Sequence, residues 1–92
     1  MKIIWDEPKR LKNIEKHDLD FVDLEIGFFA SSLIVNAREG RLKAIGPISE
    51  TMIAVIFVAL GAEGISLISL RRASRQERRL YDRRSQKSSS SH

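Results

Sequence analysis

The chain of 92 residues contains no cysteine, two histidines, two prolines and a single tryptophan. Without cysteine it can have neither a disulfide framework nor a cysteine-based zinc site, which fits a reducing, cytoplasmic setting. One of the two histidines, His92, is the last residue, so an all-protein metal centre is not expected and no cofactor is implied. The opening stretch MKIIWDEPKR lacks the uninterrupted apolar core of a secretory signal. Thr51–Leu70 comes close to the roughly 20 apolar residues that span a bilayer, and Arg71 and Arg72 follow it as a cytoplasmic anchor would. However, Gly61-Ala62-Glu63-Gly64 interrupts that stretch. A carboxylate at mid-membrane depth is costly and the glycines signal a turn, so the segment reads as a β-hairpin and no membrane contact is expected.

What the chain does have is local positive charge. Seven arginines and two acids lie between Arg71 and Arg84, a net +5, whereas the first seventy residues carry eight Lys/Arg against ten Asp/Glu. The overall +4 is therefore concentrated at one end. An apolar strand running into an arginine-rich helix start suits phosphate, because guanidinium groups make bidentate, charge-assisted bonds to phosphate oxygens. Hydrophobic residues make up 42 %, enough for one small domain with one core, placed at residues 1–84. Residues 85–92, SQKSSSSH, are low-complexity and expected to be a disordered tail.

In chain order, Lys2–Trp5 reads as an opening strand. Asp6 caps a helix with Pro8 in its first turn, running to His17. Leu11 and Ile14 are expected on its core side, with Lys9, Lys12, Asn13 and Lys16 on the other. Asp18 ends it in a left-handed conformation that Asp tolerates. A second short helix is expected with Asp20 as cap, Phe21, Leu24 and Phe28 as its apolar contacts, and Gly27 near its end. Strands follow at Ser32–Asn36, Arg41–Ile48, Thr51–Leu60 and Ile65–Arg71, with Pro47 closing its strand or marking an edge. Thr51–Leu60 is apolar on both faces, the mark of a covered central strand. Short connections favour an antiparallel meander with both helices on one face. The last helix opens on a capping box, Ser74 with Glu77, and is anchored by Leu80 and Tyr81. The fold class is α+β: two N-terminal helices on a mainly antiparallel sheet of four to five strands, plus a basic C-terminal helix.

Three groups of residues resemble a known family when taken in register. Trp5-Asp6, Lys9, Asn13, Lys16-His17 and Phe21 form one spaced set, Arg41–Gly46 (RLKAIG) a second, and Ile68–Tyr81 a third. The pattern is similar to that of the BrnT toxins of bacterial type II toxin–antitoxin pairs. It spans Trp5 to Tyr81, with two departures: Asp18 stands where the family usually has Gly, and Leu70 where it usually has Ala. The resemblance implies a RelE-like fold, a ribonuclease that inhibits translation, and neutralisation by a BrnA-type antitoxin. It further implies that the pair represses its own operon, meets operator DNA only through the antitoxin, and can homodimerise within the complex.

Metal-independent RNA cleavage needs a base for the ribose 2′-OH, an acid for the 5′-oxygen and cations around the phosphate. Arg71, at a strand end and matching the family's arginine there, is the expected phosphate stabiliser, with Arg41 next. His17, the internal residue that titrates near neutrality, is the acid–base candidate. Glu39 is an alternative base, and Ser69 an orienting group. Lys9, Lys16, Arg72, Arg75 and Arg79 are expected to guide the RNA backbone, giving salt-dependent affinity. Trp5 fits the core better than a base-stacking role. The rival reading is a basic module that binds RNA or an acidic protein without catalysis.

Overall fold

In the computed structural model the elements run β1 (Lys2–Ile4), α1 (Glu7–His17), α2 (Ile26–Ser31), β2 (Leu33–Asn36), β3 (Leu42–Ile48), β4 (Thr51–Leu60), β5 (Gly64–Arg72) and α3 (Arg75–Ser90), with 3₁₀ turns at Phe21–Asp23 and Arg38–Gly40. The structure describes residues 1–90, with side chains as far as Arg84. The fold is α+β, a five-stranded mixed sheet ordered β1-β5-β4-β3-β2. The expected meander is present from β2 to β5, and β1 adds to the outer edge of β5 as a parallel strand. Pro47 sits in β3 beyond the last β2 pair, where a missing N–H costs no ladder bond.

One sheet face carries the core. Phe21, Leu24, Phe28 and Phe29 pack on Ala44, Ile53, Val55, Phe57, Ile65, Leu67 and Leu70. Trp5 joins this cluster, its ring edge-on to Phe21 at 6.0 Å. Gly46 lies in close contact here, since a Cβ would lie 3.2 Å from both Phe28 Cε1 and Ser32 Cβ and those side chains would have to give by a few tenths of an ångström. Ile45 and Ala54, which point to the opposite face, are also fully buried, because α3 lies over that part of the sheet. Ile53–Val55 are therefore covered on both sides, as their composition requires.

Three local expectations are corrected. The second helix is two pieces, because Leu24 and Glu25 are extended; Asp20 caps only the 3₁₀ turn, and Gly27 lies near the start of α2. Leu11 is 56 % exposed and Asn13 is the buried residue of α1, since the helix meets β5 through polar bonds rather than an apolar stripe. Leu80 is exposed, so α3 is seated by Glu77 and by the half-buried Tyr81. Helix α3 is described as far as Ser90, and residues 91–92, with His92 and the end of the expected tail, lie outside the described residues. Asp18 does take the left-handed conformation, φ 57°, its N–H bonding Ile14 O at 2.8 Å.

No helix among the described residues is long and apolar enough to cross a membrane. Thr51–Leu70 forms β4, the turn and most of β5.

Candidate active site

A bulge in β5 creates the site. Ile56 pairs with Ser69 but Phe57 pairs with Leu67, so Ile68 is an extra residue on β5. Strict alternation from the buried Ile65 and Leu67 would send Ser69 and Arg71 into the core. The bulge reverses the parity, so that Leu70 enters the core while Ser69 and Arg71 turn to the α3 face. Two cross-strand rows then stand on that face, Lys43–Ile56–Ser69 and Ile45–Ala54–Arg71. The α3 helix covers the second row; the first is left open.

Two clefts flank the open row. One, of about 490 Å³, is lined by Asn36, Ala37, Arg38, Arg41, Lys43, Ile56 and Arg71. The other, of about 250 Å³, is lined by Lys9, Lys12, Asn13, Lys16, His17, Ile68 and Ser69. Ile56 of the first and Ser69 of the second are cross-strand neighbours. Positive charge dominates both.

Arg71 is half-buried and held by Glu77, Nη1 to Oε1 at 2.7 Å and Nη2 to Oε2 at 2.8 Å. Lys43 Nζ meets the same carboxylate, 2.7 Å from Oε2. Glu77 also accepts the Ser74 N–H at 2.8 Å, and its own N–H donates to Ser74 Oγ at 3.1 Å, completing the expected capping box. Arg71, then Lys43 and the Ser74 N–H, hold the Glu77 carboxyl far below the usual carboxylate range against the opposing effect of burial. Glu77 in turn raises Arg71.

His17 sits at the end of α1, its pKa lowered first by burial and then by the charges of Lys16 and Arg71. The imidazole is therefore neutral at neutral pH, the form a general base requires. The effect of Arg71 on His17 links the two clefts electrostatically.

The sequence candidates divide accordingly. Arg41 and Arg71 share the larger cleft; Lys9, Lys16, His17 and Ser69 share the smaller. Glu39, in a left-handed conformation with φ 59°, is 79 % exposed and 4.0 Å from Arg41, on the rim rather than in the lining. Arg72 is exposed and adds to the site only the carbonyl that Arg71 Nη1 contacts at 3.3 Å. Arg75 and Arg79 are exposed on α3 and line neither cleft. Sequence reasoning left out Arg38, Lys43, Lys12, Asn13 and Glu77. Lys43 was detectable, two residues from Arg41 on one strand face; Glu77 was legible only as a cap. Among the described residues, no three His, Cys, Asp or Glu side chains gather to hold a metal.

An α+β sheet with an open, cation-lined face beside a neutral histidine defines a protein built to handle a polyanion. Residues 5–77 match the family model described as the ribonuclease toxin BrnT of type II toxin–antitoxin systems. The chain belongs to this BrnT family. It is similar to the crystal structure of the Brucella abortus ribonuclease toxin BrnT, at 53 % identity and a TM-score of 0.76, over 82 % of this chain and 99 % of that one. The comparison with curated proteins returns no match. Membership in a type II toxin family implies an antitoxin partner.

Proposed function

We propose that this toxin is an endoribonuclease that cleaves RNA by metal-independent acid–base chemistry, so inhibiting translation. The observation that carries this reading is the convergence of Arg38, Arg41, Lys43 and Arg71 on one cleft, next to a second that holds the neutral His17. His17 takes the proton from the ribose 2′-OH, and the 2′-oxygen attacks the adjacent phosphorus. The P–O5′ bond breaks and the 5′-oxygen takes a proton from solvent, leaving a 2′,3′-cyclic phosphate and a 5′-hydroxyl, while His17 releases its proton to solvent. Arg71 and Arg41 stabilise the charge gathered on the phosphoryl oxygens. Glu39, solvated on the rim, fits the base role less well. Lys9 and Lys16 lead the strand along the smaller cleft, whereas Arg72, Arg75 and Arg79 fit the guidance of flanking RNA. The RelE-like architecture, the single unit over residues 1–84 and the cytoplasmic setting belong to the same reading. So do neutralisation by a BrnA-type antitoxin, homodimerisation within that complex, and repression of the operon through the antitoxin's contact with operator DNA.

The test is purified protein with naked single-stranded RNA in chelator, beside Arg71→Ala. Cleavage with cyclic-phosphate ends that the variant abolishes is the expected result. Tight RNA binding without cleavage would overturn it in favour of a non-catalytic binding module.

A further inference from the structure

Among the described residues Glu77 is the only charged side chain that is buried, and the cleavage scheme above makes no use of it. Capping α3 asks for one carboxylate oxygen, and the Ser74 N–H takes Oε1. Yet both oxygens also hold cations from β3 and β5, two strands that lie on either side of β4 and so stand about 10 Å apart. Without a shared anion, Lys43 and Arg71 would repel each other in a cleft that already contains Arg38 and Arg41.

The way the donors are divided matters. Arg71 gives Glu77 its end fork, one N–H from each Nη, and turns Nη1 towards the Arg72 carbonyl as well. What remains is the side fork, Nε–H with the second Nη2–H, two parallel donors suited to two phosphate oxygens. Lys43 likewise keeps donors beyond the one it gives Glu77.

The geometry points to Glu77 as a positioning residue, whose carboxylate fixes Arg71 and Lys43 so that the Arg71 side fork and the Lys43 ammonium jointly receive the scissile phosphate. Because the same carboxylate caps α3, the helix start and the cleft are set together. The assignment rests on the RNA-cleaving reading, and it makes Glu77 contribute through placement rather than contact.

The test uses the full chain as Glu77→Gln, with Ser74→Ala as a control that weakens the cap alone. In Glu77→Gln the cleft gains positive charge, so binding of a non-cleavable 2′-O-methyl single-stranded RNA stays as tight or tightens. Turnover of the matching ribo-oligonucleotide falls on the order of 100-fold, the scale expected for a misplaced group. Ser74→Ala lowers Tm and leaves turnover unchanged. Wild-type turnover in Glu77→Gln, or binding, turnover and Tm all falling together, overturns the assignment. If the wild-type chain leaves RNA uncut, the cleavage reading fails, and ¹⁵N resonances of the Arg71 guanidinium decide the positioning separately. Adding 2′-O-methyl RNA should shift Nε while the paired Nη signals persist. Loss of those signals means phosphate displaces Glu77, and an unmoved Nε means the fork is not used; either sinks the proposal.

Discussion

The carboxamide of Asn13 serves Leu70 as a neighbouring strand would. Its Oδ1 accepts the Leu70 N–H at 2.9 Å and its Nδ2 donates to the Leu70 carbonyl at 2.8 Å. The parallel strand β1 pairs β5 only over Gly64–Ser66, so Leu70 would otherwise leave both groups unpaired at the sheet edge. Nδ2 also donates to Leu19 O at 2.9 Å, which ties in the chain that follows α1. Because Ser69 and Arg71 flank Leu70 and His17 is one turn beyond Asn13, this clamp sets the two clefts relative to each other. Asn13→Ala should cost about 2–4 kcal/mol, since buried backbone groups lose their partners. The matching fall in Tm, on the order of 10–20 °C, would be read in a thermal melt. Asn13→Asp should fare no better, because a carboxylate cannot donate to the Leu19 and Leu70 carbonyls. A small effect of either variant would show that water replaces the clamp.

Acid should loosen the fold partly through Glu77. Its folded pKa lies well below the ordinary 4.5, so its stabilisation is complete above that value and is lost as pH falls below it. Denaturant midpoints measured from pH 7 down to about 2 should decline less steeply in Glu77→Gln than in wild type. At pH 7 the variant should be less stable by on the order of 2 kcal/mol, below the figure for a fully buried pair because Lys43 and Arg71 are partly exposed. Parallel pH curves would place the acid sensitivity elsewhere.

The pH–rate profile should carry the signature of His17. Burial and the nearby cations lower its pKa below the ordinary 6.5, so the acidic limb of kcat/KM should fall below that pH. Removing the Arg71 charge should move the His17 pKa upward, read from the imidazole resonances of Arg71→Ala in an NMR titration. His17→Gln should abolish the limb along with most turnover. A limb that persists in His17→Gln would assign the base to another group.

Affinity should be strongly salt-dependent, with the lysine cleft carrying part of the slope. Each phosphate contact removed by Lys9→Ala or Lys16→Ala should reduce the slope of log K against log salt by about 0.7, the value for single strands. Arg75→Ala and Arg79→Ala, exposed outside both clefts, should change it less. Equal slopes in all four variants would mean that the RNA does not follow the lysine cleft.

Much of this could be read in the linear chain. Helix α1 begins and ends where Asp6, Pro8 and Asp18 predict, although Asp6 holds the N-cap position without a side-chain capping bond, and β4 spans Thr51–Leu60 as its β-branched run predicts. The capping box of Ser74 and Glu77 is equally local, and forms as expected. These features depend on residues within a turn or two of each other, where propensity and periodicity decide. Leu11 and Leu80 show the limit of the same rules: each is apolar at helical spacing, and each is exposed, because polar anchors rather than apolar stripes seat α1 and α3.

The sequence alone determined the element types, the α+β class and the gathering of positive charge at one end, all set by neighbours in the chain. Which way that charge points was decided only in three dimensions. Counted by twos from Ile65, Ser69 and Arg71 belong with the core; the bulge at Ile68 turns them to the cleft. A bulge is specified by how β4 and β5 pair, as the bonding of Lys43, Arg71 and Glu77 is specified by where α3 docks. Neither has a local signal, because the energies that choose them come from contacts between residues far apart in the sequence.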